Sequence, residues 1–512
     1  MIRPRLSEFP VGTLRSVQLW TTIAALVLAP LFFGSVDLFW VVVWTILLSL
    51  GVLCGTVAPS MQRAQGGLLL GFAVLCGAYA LVAAIQIIPH AIEPLNDPIW
   101  LRANESFGLD TLPRISGRAA IPALAIGHFL LFATSFVSGF LVGTSRRSSE
   151  KLIRFAQYSI LVYASYGIAA LVVAPDTLLW TTKVAYRGYL TATFVNHNTA
   201  ATYVGTGMIL WFCLALSSGQ SMRFSDLRIL LMSRSNEEMA LKVILRSAAA
   251  AVCAFAVLLT GSRAGLLCSS MGIVVALTLM AANKWKLPRR YIVAFALIAS
   301  AVTIIWVSRL GRLASQGLVD ENRLSVYHSS LQAIWQRPLL GSGAGTFPDL
   351  FPVFRSDVLW SWGVWDYAHS TILEIAFEMG IPIAAVVAMG ATLSVVILIK
   401  AAIRASGRTD RRTLAAIAGI ATLGFLHSTV DFSLQIPGFF VVFAILLGCG
   451  LATALAKQDR HPPRRSSARP ALADQPPLVA LQVPGHIAAF KSIGQRRAAC
   501  EIAKPSVRFP EV

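Results

Sequence analysis

Apolar runs of about twenty residues, broken by short segments rich in Arg, Lys, Gly and Pro, recur from residue 17 to residue 456. A helix needs about 20 such residues to cross the hydrocarbon core of a bilayer. The runs predict spans near 17–36, 38–58, 67–89, 119–143, 152–174, 194–217, 246–260, 264–282, 291–308, 370–399, 413–430 and 436–456, the seventh being short. The expected fold is an all-α polytopic membrane protein with about 12 transmembrane helices in one bundle over residues 1–456. The N-terminus has a signal-peptide pattern, with Arg3, Arg5 and Arg15 before an apolar run. Pro30 follows its small-residue site and disfavours cleavage, so the first span is expected to be retained.

Basic residues orient this count through the positive-inside rule. With the N-terminus in the cytoplasm, 22 Lys and Arg fall in inside segments, 11 in outside segments and ten in the tail. One span more or fewer in the middle would put several basic loops outside. Both termini are therefore expected in the cytoplasm, with the protein in an inner membrane. The tail, 457–512, is rich in Pro, Arg, Ala and Ser and reads as disordered and basic. It either lies on anionic membrane lipids or is simply solvated.

Composition agrees with this placement. The chain is 56% hydrophobic and 13% charged, against roughly 25% charged in a soluble domain. The net charge of +19 would suggest nucleic acid in a soluble protein; here loop asymmetry explains it and no nucleic-acid partner is expected. Of the seven cysteines six lie in apolar runs and Cys500 lies in the tail, and none has metal-ligand spacing. Neither a metal nor a cofactor is expected.

The largest outside segment is a periplasmic loop, 309–369, between spans nine and ten. Connectors of that length are usually functional or disordered. Leu324, Tyr327, Leu331, Ile334 and Trp335 predict a helix over 322–336, ended by Arg337-Pro338 and pictured at the membrane–water boundary. Gly341-Ser-Gly-Ala-Gly345 follows, readable as a phosphate cradle or as ordinary turn glycines. Trp360, Trp362 and Trp365 suit either sugar stacking or an interfacial aromatic belt.

Three polar residues share the outer face by parity: Arg187 before Phe194-Val-Asn-His-Asn198, Arg263 in the turn Gly261-Ser-Arg-Ala-Gly265, and His369 at the end of the large loop. Arg263 stands against the positive-inside bias, in a turn too short for its side chain to snorkel far. Glu374 and Glu378 lie four apart in span ten, several to roughly 14 Å below His369. They are expected away from the face that carries His369, paired with an arginine or protonated.

These segments together resemble the O-antigen ligase and polymerase superfamily of bacterial membrane glycosyltransferases, over about residues 180–450. Arg187-Gly…Phe194-Val-Asn-His-Asn198 is similar to the family's Arg-Gly…Phe-x-Asn-x-Asn stretch, and Thr260-Gly-Ser-Arg263 to its Thr-Gly-Ser-Arg turn. Pro338-Leu-Leu-Gly-Ser-Gly-Ala-Gly-Thr-Phe347 resembles its Pro-Leu-Leu-Gly-x-Gly-x-Gly-x-Phe stretch. His369-Ser370, nine residues, then Gly380 resembles its ligase pattern, with Ile383 departing at the last place. His427-Ser-Thr-Val-Asp-Phe-Ser-Leu-Gln-Ile-Pro437 resembles a stretch near the end of that domain. The resemblance implies a GT-C-like helical bundle and metal-independent transfer of a glycan from undecaprenyl diphosphate to a periplasmic acceptor hydroxyl. The acceptor is lipid A-core for a ligase, or another glycan for an O-antigen or exopolysaccharide polymerase.

The residue types suit that reaction. Arg187 and Arg263 are expected to grip the diphosphate, since guanidinium meets phosphate bidentately. His369 is expected to take the acceptor proton, because imidazole's ordinary pKa of about 6.5 suits a general base. Asn196, Asn198 and Glu374 are supporting candidates. An anion transporter is the alternative of a different class; repeated halves, common in transporters, are not seen in the sequence.

Overall fold

The computed structural model describes residues 11–57, 61–90, 92–219, 237–281, 321–356, 359 and 365–456. The predicted ninth span 291–308, the first part of the large loop, Trp360, Trp362 and the tail lie outside these residues.

Fifteen α-helices occur among the described residues. They are α1 (Val11–Leu28), α2 (Leu38–Thr56), α3 (Arg63–Ile87), α4 (Pro98–Phe107), α5 (Ile121–Gly143), α6 (Arg146–Val173), α7 (His197–Gly219) and α8 (Glu237–Leu259). After them come α9 (Arg263–Ala281), α10 (Glu321–Gln336), α11 (Phe347–Leu350), α12 (Thr371–Met379), α13 (Ile381–Arg404), α14 (Arg408–His427) and α15 (Pro437–Leu455). A two-residue hairpin, β1 (Thr177–Leu178) with β2 (Thr181–Thr182), links α6 to the segment before α7. Ten of the described helices are long and apolar enough to cross a membrane: α1, α2, α3, α5, α6, α7, α8, α9, α13 and α15. The chain is a multi-pass membrane protein.

Hydrophobic position follows depth in the bundle. On α15 every residue from Pro437 to Ala452 is buried, and α7 is nearly as enclosed, whereas α3 buries only Gln65, Ala83 and Gln86. A helix apolar all round belongs in a core. In lipid, close approach of backbones supplies the packing that water would otherwise drive, and small residues permit it. Gly139 of α5 has no room for a side chain: a Cβ there would stand 2.1 Å from the Ile445 carbonyl oxygen of α15. Gly272 of α9 and Gly419 of α14 face each other in the same way, each within 2.6 Å of the other's carbonyl oxygen if given a Cβ.

Three predicted spans take a different form; the eleventh, expected at 413–430, is α14, whose polar first turn at Arg408, Asp410, Arg411 and Arg412 leaves it outside the ten. The seventh, expected at 246–260, begins at Glu237, because its first turns are polar and carry the Glu238–Lys242 pair, which hydropathy does not register. The tenth, expected as one run over 370–399, breaks into α12 and α13 at Gly380. Gly380 has φ +85°, and a Cβ there would lie 2.3 Å from the Leu339 carbonyl oxygen. The helix predicted over 322–336 is α10.

The turn after α10 is fastened from three sides. Gln86, fully buried at the end of α3, donates to the carbonyls of Leu340 (2.5 Å) and Glu378 (2.7 Å) and accepts from the Ala344 N–H (3.0 Å). Arg337 pairs with Asp97 at 2.8 Å and donates to the Ile115 carbonyl. Gly341, Gly343 and Gly345 all have positive φ, and a Cβ on Gly341 would meet the Glu378 carbonyl oxygen at 2.3 Å. The N–H groups of Ser342 and Gly343 bond to the carbonyls of Phe377 and Glu378. These glycines serve the turn and its packing, not a phosphate.

Candidate active site

Three chain segments distant in sequence meet at one end of the bundle. The segment before α7 is held to the α8–α9 turn by the Leu190 N–H on the Leu259 carbonyl (3.0 Å) and by His197, whose Nδ1–H donates to the Thr260 carbonyl (2.7 Å). The Tyr189 ring covers Gly261, where a Cβ would come within 2.5 Å of it. Arg187 and Arg263 therefore project from two directly bonded segments.

Arg187 is exposed, and its Nε donates to the Lys183 carbonyl at 3.2 Å. Lys183 is buried and its ammonium donates to the Tyr189 carbonyl at 2.9 Å, closing the loop around Arg187. Burial pulls the Lys183 ammonium below its ordinary pKa, against the attraction of Asp176. Arg263 is half-buried at the first position of α9, where the Ser262 hydroxyl accepts the Gly265 N–H. The N-termini of α7 and α9 thus lie side by side, and helix N-termini carry positive partial charge.

The link to His369 runs through Asp431, in the connection between α14 and α15. Asp431 is fully buried. Its carboxylate accepts from the Asn198 amide (2.7 Å) and the Ser433 hydroxyl (3.1 Å), and lies 3.6 Å from Arg323 and 3.8 Å from His369 Nδ1. Burial pushes this carboxyl up, but the adjacent His369 and the charges of His427 and Arg323 outweigh it and hold it at about 2. Asn196 supports the arrangement from the start of α7: its side-chain oxygen accepts the Asn198 N–H at 2.6 Å, and its amide reaches the Tyr186 hydroxyl at 3.5 Å.

His369 itself sits in the left-handed region, at φ +53°, as does Tyr186, next to Arg187, at φ +57°. Non-glycine residues are held there only where surrounding bonds over-determine the backbone. For His369 those bonds are visible. The Tyr327 hydroxyl of α10 donates to its carbonyl (2.9 Å), the Ala368 N–H donates to Glu374 (2.7 Å), and the Thr371 N–H donates to the Ser428 carbonyl (2.8 Å). The ring packs edge-on against Phe432 and Trp365.

Glu374 corrects an expectation. It does not point away from the histidine but receives the backbone of the preceding residue, because the chain folds back at His369 before α12 begins. Glu378 accepts the Phe347 N–H at 3.1 Å, so the two carboxylates tie down both ends of the loop segment. Neither pairs with an arginine among the described residues.

His369, Asn196, Tyr186, Trp365, Tyr367, Glu374 and Glu378 all border a cavity of about 1320 Å³. Its remaining wall is largely apolar, formed by side chains of α3, α5, α13 and α14 such as Phe72, Leu75, Phe129, Val395 and Phe425. Arg187 and Arg263 do not border it; Arg187 stands one residue beyond Tyr186, which does.

Arg323 and Asp431 belong to the site without being marked as candidates by the sequence. Asp431 lies inside the stretch from His427 to Pro437, whose resemblance carries no role of its own, while a lone arginine in a long loop gives no sign of its partner.

No curated protein matches the chain. Residues 248–388, a segment that holds the Arg263 turn, α10 and His369, match the family model described as O-antigen ligase, a likeness that supports the O-antigen ligase-related superfamily.

Proposed function

We propose that the protein transfers a glycan from undecaprenyl diphosphate to an acceptor hydroxyl at the periplasmic face of a bacterial inner membrane. The matched family supports glycan transfer of the O-antigen ligase or polymerase type. The observation that carries the finer reading is the meeting of the Arg187 loop, the Arg263 turn and His369 beside a large apolar cavity. A polyprenyl tail needs such an apolar volume next to a polar, cationic end.

In this reading the prenyl chain lies along the α3, α5 and α13 wall, and Arg187 and Arg263, beyond the Tyr186 edge of the cavity, hold the diphosphate. His369 Nδ1 faces Asp431, which leaves Nε2 for the acceptor hydroxyl. The acceptor oxygen forms a bond to the anomeric carbon as the bond from that carbon to the diphosphate oxygen breaks. The hydroxyl proton passes to Nε2, and undecaprenyl diphosphate leaves with the bonding pair. Charge grows on the diphosphate during this step, so fixed guanidinium groups stabilise the transition state more than the bound donor. Asp431 orients the imidazole.

The test is a knockout strain complemented with His369→Ala, with glycans resolved on gels. Lost attachment with free polymer accumulating identifies a ligase acting on lipid A-core. Lost long chains with single repeats remaining identifies a polymerase. Glycans identical to wild type at equal protein levels overturn the proposal.

A further inference from the structure

At the end of the bundle opposite His369, three arginines converge on the last turn of α7. Arg246 of α8 donates to the Ser218 hydroxyl, Arg408 of α14 to the Ser217 carbonyl, and Arg412 of α14 to the Ser217 hydroxyl at 3.3 Å. α7 and α14 run from this cluster to the candidate active site, a path of about 30 Å at 1.5 Å per residue.

A helix C-terminus attracts cations, and the last carbonyls accept from them. That attraction answers about half an elementary charge, which one guanidinium exceeds. The other two are in surplus. Their carboxylate neighbours are already engaged: among the described side chains here, Glu150 and Asp410 bind Arg146, and Glu238 binds Lys242. Burial first, and then the like charge of Arg246, pulls the Arg412 guanidinium below its ordinary pKa, with Glu150 opposing. Among the described residues these guanidinium groups make no ion pair with a carboxylate, and an anion from outside would relieve their repulsion.

The surroundings specify which anion. Leu241, Ile244 and Leu245 of α8, the turns beside Arg246, are each more than half exposed. The apolar span of α7 ends at Ser218. Guanidinium groups at the end of a membrane span, flanked by outward-facing Leu and Ile, match a phosphodiester with acyl chains attached. A free phosphate would use the arginines and leave the apolar flank without a role.

We infer that Arg246, Arg408 and Arg412 form a binding site for the headgroup phosphate of an anionic phospholipid in the membrane leaflet at this end of the bundle. The site is independent of the glycan-transfer reading and would exist in a protein of any activity.

The experiment uses the full-length protein in a non-ionic detergent, with native mass spectrometry and thermal unfolding as readouts. Added dioleoylphosphatidylglycerol is expected to stay bound and raise the unfolding midpoint, whereas dioleoylphosphatidylcholine does neither. Arg408→Gln, at an exposed position, is expected to fold normally and bind the anionic lipid about tenfold more weakly, as loss of one charge-assisted hydrogen bond implies. Arg246→Gln is expected to act likewise. Equal retention of the two lipids, or undiminished binding of phosphatidylglycerol by both variants, overturns the site. Inorganic phosphate alone reproducing the full midpoint shift overturns its assignment to lipid.

Discussion

The side-chain amide of Asn198 donates to the buried carboxylate of Asp431 at 2.7 Å, and through that bond the start of α7 reaches the residue that faces His369. A hydrogen bond to a buried charge contributes about 2 kcal/mol, and leaving the charge short of a donor costs at least as much. Asn198→Ala is therefore expected to lower stability by about 2 kcal/mol in denaturant unfolding. Asn198→Asp is expected to be worse, because it sets two carboxylates in contact. Equal stability of the alanine variant and wild type would remove Asn198 from the framework of the site.

Asp431 also sets a pH dependence. Its folded pKa, about 2, lies below its ordinary value of 3.8. A depressed carboxyl stabilises the fold above its unfolded pKa and loses that contribution as pH falls through the folded value. The stability from Asp431 is thus complete above about pH 4 and fades toward pH 2, a loss of about 2 kcal/mol. Asp431→Asn is expected to be less stable at neutral pH and to show a flatter decline between pH 4 and 2. Unfolding midpoints measured for both proteins across that window test it; parallel curves would mean that Asp431 titrates normally.

Much of this arrangement is legible in the sequence, and the reasons differ by element. Long apolar runs mark membrane spans because lipid imposes one length on all of them, so α2, α5 and α15 fall close to their expected bounds. The amphipathic α4 escapes such a reading, since at ten residues with Arg102, Asn104 and Glu105 it has no span-like run. The break at Gly380 escapes it because glycine is common inside membrane helices, and only contact with Leu339 shows that this one ends a helix. Arg187, Arg263 and His369 are visible through their short motifs. Asp431 and Arg323 act through a contact made in space, which no local spacing encodes.

Backbone contact between helices predicts a sharp contrast among glycines. Gly139 lies against the Ile445 carbonyl, whereas a Cβ added to Gly71 of α3 would meet nothing within 4 Å. Gly139→Ala must separate α5 from α15 in the most buried part of the bundle. Overpacking of that kind costs about 1–3 kcal/mol or more, and it is expected to cut the yield of folded protein in detergent. Gly71→Ala is expected to be neutral or stabilising by up to about 1 kcal/mol, through helix propensity. Comparable yields and melting points for the two variants would show that α5 and α15 are not in backbone contact.

Arg187 offers a test of the proposed grip on diphosphate that separates chemistry from folding. Its Nε is committed to the Lys183 carbonyl, so its two terminal nitrogens form the fork that would meet phosphate oxygens. Lysine keeps the charge but presents it as a point, without the fork and without the bond to Lys183. Because Arg187 is exposed, Arg187→Lys is expected to fold with an unchanged melting point. Transfer from a lipid-linked donor is expected to slow by about tenfold or more, as loss of a bidentate charge-assisted contact implies. Loss of a contact that strengthens as the leaving group gains charge lowers kcat and kcat/KM together, whereas loss of one that merely holds the donor raises KM alone. Arg102→Lys, on α4, is the matched control and should change neither. If Arg187→Lys retained wild-type kcat and KM, the leaving diphosphate would be stabilised by some other group.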